Sequence, residues 1–543
     1  MELLREVFRL GGEDSLAAIG IRIKSQTMQL LFSLLAMGLV VGLFLLWVWL
    51  HRYRQRHHIG PKTWPIFGSY FEQVRNFERL HDWLLQYFHK GCLTFHVHKF
   101  WIKNTFTVDL NNVEYILKTN FVNYPKGARI RNQLTDLIGH GIFNVDGEMW
   151  KHQRKVASVE FSSSKLRDFS VHTFREQALK LVQVLSLASS RGQPVDMQNY
   201  FMRLTLDSIC KVGFGVDIGY LTPELPALPF ATAFDCANFL AVRRYIDLFW
   251  KIKRTLNIGT EAKLRSYLNV MDTFLYNMID NRRREMQKDP NKEGRPDILS
   301  RFMSITDRET YSDAHLRDVL INFIIAGRDT TALTLSWLFY ELCRNPNVVE
   351  NIISELKTVL EETPTEKEEV TDLQSPGFGE KVVAFSERLT YQNLGKLHYL
   401  HAAVTEALRL YPAVPLETKE AAGDDTLPDG TQIKKGQLVS FNPYSMGRLK
   451  CIWGPDVMEF KPERWLKNGV FQTQSPFKLI TFQAGPRICL GKDSAYLQMK
   501  MTTAILLRFF KFDLVPGDSP PRYALMLVLY IAKGIRLRVS PRS

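Results

Sequence analysis

The hydrophobic pattern divides the chain into one unbroken apolar run and a long remainder with mostly helical periodicity. From Leu30 to Leu50 the residues LLFSLLAMGLVVGLFLLWVWL carry no charge. At about 1.5 Å per residue, such a helix is roughly 31 Å long and matches a hydrocarbon core of about 30 Å. The run exceeds a signal-peptide apolar region, and no small-residue cleavage site follows it. Trp47 and Trp49 stand at its end, where indoles favour the membrane interface. A transmembrane anchor is therefore expected over 30–50, behind an N-terminal extension, 1–29. Arg52, Arg54, Arg56 and Lys62 follow the run closely, whereas only Arg22 and Lys24 closely precede it. The positive-inside rule then places the C-terminal part in the cytosol after a single pass. A basic linker, 51–68, ends in GPKTWPIFG, a stiff Pro/Gly elbow. Acidic residues in the extension argue against a transit peptide, and Met28, opening onto the run, is an alternative start to Met1.

Beyond the elbow, LTFHVH (Leu93–His98) and IKNTFTVDL (Ile102–Leu110) alternate as a hairpin would. Helical spacing dominates afterwards. One segment opens at Ser312-Asp313, a suitable N-cap, and runs to Asn345, where Pro346 stops it. It is apolar on more than one face from Leu320 to Phe339, which predicts a buried helix about 48 Å long. Arg282–Asp297 and Glu361–Lys381 are polar and turn-rich, and are expected to be surface loops. Short apolar runs within Tyr523–Val539 fit strands. The fold expected is a single mainly α domain with small β-sheets, 69–543.

Composition adds limits. With 45% hydrophobic and 23% charged residues, the chain is globular, not disordered or low-complexity. Its net charge of +14 is spread out, without a polybasic tail or RNA-binding motif. That excludes nucleic acid as the expected partner and favours a membrane surface or an acidic protein. The six cysteines (Cys92, Cys210, Cys236, Cys343, Cys451, Cys489) show no paired spacing, so neither a disulfide framework nor a zinc site is expected.

One of those cysteines lies in FQAGPRICLGK, with Phe482, Gly485, Arg487, Cys489 and Gly491 in the order F-x-x-G-x-R-x-C-x-G. A single cysteine among glycines lets the backbone approach a flat cofactor and supplies one axial thiolate to haem iron. Loop amides can point at the sulfur and temper its charge. Arg487 offers a donor fork to a haem propionate, and Phe482 a ring for the same side of the cofactor.

With this loop the chain resembles a cytochrome P450, a haem-thiolate monooxygenase, and further segments agree in order and separation. In AGRDTT (Ala326–Thr331), the resemblance implies that Asp329 and Thr330 organise proton delivery to bound O₂. Ala326 and Gly327 there leave room for it and let the helix loosen. EALR and FKPERW supply Glu406, Arg409 and Arg464, implied to form a structural ion cluster around the haem loop. In WKHQRK, Trp150 and Arg154 share a helix face and are implied to contact a haem propionate.

The resemblance implies haem b, O₂ as co-substrate, and electrons from NADPH through a separate NADPH–cytochrome P450 reductase, since the chain shows neither a flavin nor a dinucleotide fingerprint. Lys461, Lys492 and Lys500 are candidates for steering that acidic partner. It further implies a monomer in the endoplasmic reticulum membrane. GIFNVDGEMWKHQRK, AGRDTTA, LRLYPAVP and FQAGPRICLGKDSAYLQMK resemble the plant fatty-acid ω-hydroxylase clan, in particular family 704, subfamily B. Those enzymes hydroxylate long-chain fatty acids near the terminal carbon for pollen and spore wall lipid polymers (sporopollenin). A terminal methyl has stronger C–H bonds than the methylenes behind it, so its selection requires a narrow channel. Pro125–Gly147, Val414–Leu416 and Leu525–Val528 are expected to line that channel, with Lys126, Arg129 or Arg131 holding the carboxylate at its mouth. The alternatives are in-chain hydroxylation, another lipophilic substrate, a haem-thiolate isomerase or dehydratase, and a non-catalytic haem sensor.

Overall fold

The apolar run lies within helix α1, Glu13–Arg54, in the computed structural model, which describes residues 13–54, 56, 60–288, 297–304, 312–360 and 377–542. The stretch Gly20–His51 is long and apolar enough to cross a membrane. It is longer than the 30–50 expected because 21–29 contains no Gly or Pro to end the helix. Met28 lies inside the helix.

The chain packs as two compact units. One comprises residues up to Glu72 with Val97–Trp101, and the other Gln73–His96 with Ile102 onward. In the first, the elbow closes through paired Trp64 and Gly68 backbone bonds of 2.6 and 2.8 Å, with Gly68 at φ +60°. Phe67 packs its ring on Phe71 and Phe100.

The second unit is mainly helical. The helices that position the site are α2 (Gly127–Ile138), α3 (Gly147–Phe161), α4 (Met197–Phe214), α5 (Pro229–Arg243), α6 (Asp313–Ile324), α7 (Thr330–Arg344), α8 (His398–Leu410) and α9 (Lys492–Phe509). The expected hairpin forms: Phe95 and Phe106 stack at 5.9 Å and the Thr94 and Thr107 hydroxyls bond at 2.9 Å. Ile102–Thr107 then pairs in parallel with Leu438–Phe441, which pairs antiparallel with Glu417–Glu420. Near the C-terminus, Tyr523–Leu525 pairs with Leu529–Ile531, and Phe510–Leu514 with Arg536–Pro541.

Helices α6 and α7 are the single long helix read from the sequence, joined by a π-helical turn at Ile325–Asp329. Ser312 caps its start by accepting from the His315 amide, and Pro346 opens the next helix. α7 packs against α4, α8 and α9, so Leu333, Leu335, Leu338 and Phe339 are all buried. Of the two polar stretches expected as loops, 289–296 and 361–376 lie outside the described residues. Their flanks correct the expectation in part: Arg282 ends up buried in a helix that continues to Lys288, ion-paired with buried Asp297. A charge that finds its partner and the Ser300 hydroxyl (2.9 Å) need not stay in water.

Among the described residues, the most deeply buried ion cluster ties α8 to the segment after it. Arg409 grips both oxygens of Glu406, at 2.8 and 2.7 Å, with no exposure of either side chain. Its remaining donors reach the carbonyls of Gly447, Val457 (2.7 Å) and Glu459 (3.0 Å). Glu406 also accepts from Trp465 Nε1 at 2.9 Å, the Lys461 amide at 3.1 Å and Arg464 Nε at 3.3 Å. Every lone pair and donor is used, which is the condition for a buried pair to be tolerated. Glu406→Ala strands the Arg409 guanidinium. It is expected to lower stability by about 3–5 kcal/mol, read as a lower denaturation midpoint at unchanged slope. A wild-type midpoint would contradict this account.

Candidate haem-thiolate site

The loop between Ile480 and Gly491 folds on its own backbone through two 3₁₀ turns, Ile480–Phe482 and Gly485–Arg487. The Cys489 amide donates to Phe482 O at 2.9 Å and the Ile488 amide to Gly485 O at 3.0 Å. Gly485 sits at φ +65° with its α-carbon pressed on the Leu117 carbonyl, which an added Cβ would overlap. Only glycine fits there. Cys489 carries open surface, yet it lies deep among protein atoms. The opening it faces is therefore an interior one. Burial pushes its thiol up, opposed by the Gly491 amide, which donates to the sulfur, and by the Arg154 and Lys492 cations. Phe482, half-buried, sets its ring 5.4 Å from that of Tyr496.

Around the sulfur the structure gathers positive charge. On α3, buried Trp150 lies under the Arg487 guanidinium, 4.6 Å from ring to carbon, and half-buried Arg154 is held next to Cys489. Arg487 gives Nη2 to Asp146 Oδ1 and to Val145 O, both at 2.8 Å. Asp146, just before α3, also accepts from the Lys126 and Gly127 amides and from Arg131. Lys126 Nζ pairs with Glu417, which pairs at 3.2 Å with buried Lys419. Burial lowers the Lys419 ammonium to about 7, against the pull of Glu417. The linked cluster holds Lys126, Arg131, Arg154, Lys419 and Arg487 against only Asp146 and Glu417. That cationic surplus beside a thiol facing inward fits the two carboxylates and the iron of a haem.

The long helix supplies the other wall. At the π turn, the Thr330 hydroxyl donates to Ala326 O at 2.6 Å, and the Thr205 hydroxyl of α4 to Arg328 O at 2.9 Å. Hydroxyls thus take carbonyls around the widened turn. Ala326 and Thr330 are half-buried, whereas Asp329 is only 2% exposed. Gly327 meets α4: a Cβ would stand 2.6 Å from Ile209 Cγ1, so its bareness serves helix packing, where the sequence suggested space for O₂. Burial pushes the Asp329 carboxyl up to about 7, although Arg328 Nη1 donates to it at 2.9 Å.

Several expectations need correction. Lys500 is buried, its Nζ donating to Leu394 O, and has no surface from which to steer a partner. Lys461 pairs with Asp456 at 3.0 Å but keeps an exposed side chain, so the structure does not remove it as a candidate. Of the proposed carboxylate anchors, Lys126 and Arg131 are committed to Glu417 and Asp146, whereas Arg129 has no ion-pair partner among the described residues. Asp146, Glu417, Lys419 and Arg328 were missed. Asp146 and Arg328 stand inside segments already quoted, next to Gly147 and Asp329, but the sequence gives no sign of what they would face.

Gln483 is a non-glycine residue at φ 61°, ψ 179°, a region that glycine alone occupies comfortably, and its Oε1 is buried without a partner. Such strain costs about 1–3 kcal/mol. Gln483→Gly is expected to raise the melting temperature and leave the haem absorption spectrum unchanged; a lower melting temperature would refute the strain.

The sequence matches the family model "Cytochrome P450" over residues 59–539. It is 52% identical over 515 residues to cytochrome P450 704B1 of Arabidopsis thaliana, covering 92% of this chain and 98% of that protein. Against cytochrome P450 704C1 of Pinus taeda the identity is 46%, covering 88% and 92%. Against cytochrome P450 86B1 of Arabidopsis thaliana it is 38%, covering 96% and 92%. Membership brings haem, O₂ and an electron-supplying redox partner. The thiolate loop, the helices that frame it and these likenesses agree that the chain belongs to the cytochrome P450 family of monooxygenases, resembling family 704, subfamily B.

Proposed function

We propose that this monooxygenase hydroxylates long-chain fatty acids at the terminal carbon, as a precursor step for pollen or spore wall lipid polymers. The observation that carries the reading is an apolar core cluster that extends to Ile325 of the widened turn. Leu134 and Leu527, from two of the three expected channel segments, and Leu490 from beside Cys489 pack on one cluster that includes Ile321, Ile324 and Ile325. An apolar chain suits such surroundings, and the resemblance to the ω-hydroxylase clan supplies its class. Arg129, which has no ion-pair partner among the described residues, suits the carboxylate end.

Bound haem supplies the activation of O₂ and the insertion of one oxygen atom into a C–H bond. The protein's own groups do the rest. Cys489 Sγ, deprotonated, would ligate the haem iron, and the Gly491 amide would temper the thiolate charge. Arg154, Arg487 and Lys419 would hold the cofactor's carboxylates, with Trp150 and Phe482 as flanking rings. The Thr330 hydroxyl passes a proton inward, and the Asp329 carboxyl replaces it. Retention of that acid–hydroxyl pair supports a monooxygenase over a haem-thiolate isomerase.

The setting proposed is a monomer anchored by α1 in the endoplasmic reticulum membrane, with its body in the cytosol and NADPH–cytochrome P450 reductase as donor. Exposed Phe249, Ile252, Leu256 and Ile258, interleaved with Lys251, Lys253 and Arg254, support contact with an anionic lipid surface from which an apolar substrate partitions.

Two measurements test this. Microsomes with the reductase, given lauric to stearic acid, are expected to form ω-hydroxy acids; in-chain products alone would overturn the regiochemistry, and Cys489→Ser is expected to abolish both product and the reduced-CO thiolate band. Arg129→Gln is expected to raise KM for these acids several-fold with kcat little changed; an unchanged KM removes Arg129 as the anchor.

A further inference from the structure

Arg328 is fully enclosed, on the same helix as Asp329 but bonded outward as well. Its Nη1 lies 2.8 Å from Asp235 Oδ1 on α5 and 2.9 Å from Asp329 Oδ1, and its Nη2 lies 3.3 Å from Asp235 Oδ2. The Phe234 ring lies 5.2 Å from the guanidinium and closes it off from solvent. Asp235 alone reaches water, its side chain 31% exposed. Among the described residues, the other titratable group facing this cluster is Tyr530, from the strand Leu529–Ile531, with Asp196 beyond it. Burial holds the Tyr530 phenol neutral, so it adds no charge.

The cluster therefore contains two carboxyls and one permanent cation. With Asp235 ionised at the water-facing end, neutrality in a low-dielectric site requires a proton on Asp329. We infer that Asp235 is a positioning residue for the proton step: its charge claims Arg328 and thereby keeps Asp329 in the carboxylic acid form, ready to donate. Arg328 itself carries no proton onward, since a guanidinium is not deprotonated in proteins. Removing the Asp235 charge leaves an Arg328–Asp329 ion pair that is already neutral, and Asp329 then gives up its proton to solvent before it is needed. The sign follows: Asp235 raises the Asp329 carboxyl and Arg328 lowers it, so neutralising Asp235 moves it down. The inference rests on the proposed proton role of Asp329.

The test uses the full-length haem-loaded protein with its reductase. The carboxylic acid infrared band that disappears in Asp329→Asn identifies Asp329. In Asp235→Asn that band is expected to titrate lower by about one pH unit or more, and product formed per NADPH is expected to fall at neutral pH with KM unchanged. Asp235→Glu is expected to restore both. Asp235→Ser serves if the Asn variant fails to load haem. A band that titrates as in wild type in the charge-neutral variant, with Asp329→Asn uncoupled, overturns this inference alone. Undiminished coupling in Asp329→Asn overturns the proton role of Asp329 and this inference with it.

Discussion

Burial of charge is the constraint on which this structure turns, and the Glu406–Arg409 pair is its clearest instance. Neither side chain touches water, so the pair is tolerable only because each remaining donor and lone pair is met by Trp465, Arg464 and the carbonyls after Gly447. Meeting them obliges the irregular segment 447–465 to adopt one path. That segment has little regular secondary structure to fix it, so side chains do what a ladder of backbone bonds would do elsewhere.

The same rule operates with opposite intent around Cys489. There the positive groups outnumber their partners among the described residues: Asp146 and Glu417 are shared among four cations, with Arg154 near Arg487 as a fifth. Burial lowers the Lys419 ammonium, and the Lys126 and Arg487 cations lower it further against the pull of Glu417. A prosthetic group bearing two carboxylates and taking a thiolate relieves that surplus. The site is thus prepared electrostatically for haem, and the Gly485–Leu117 contact prepares it sterically by bringing the loop close to its neighbour.

Much of this was legible in the sequence because some residue types have few alternatives. An uncharged stretch as long as Leu30–Leu50 has one common use, and a cysteine framed by Gly485, Arg487 and Gly491 has scarcely more. The extent of the long helix and the hairpin at Thr94–Thr107 followed from periodicity. What stayed hidden was direction. Lys500 reads as a solvated lysine until its helix is seen packed on Leu394, and Lys126 and Arg131 read as free cations until Glu417 and Asp146 arrive from distant segments. Such pairings join residues far apart in the chain, and no local pattern records them.

The seam between α4 and the widened turn has a consequence for redesign. With Ile209 filling the space where a side chain at position 327 would stand, and Thr205 gripping the carbonyl next along, the bulge is moulded from outside by a neighbour as much as by its own residues. Bulk at 209 and at 327 therefore trades one for one. A methyl transferred across that seam by a compensated double exchange would reshape the bulge while keeping the volume of the seam.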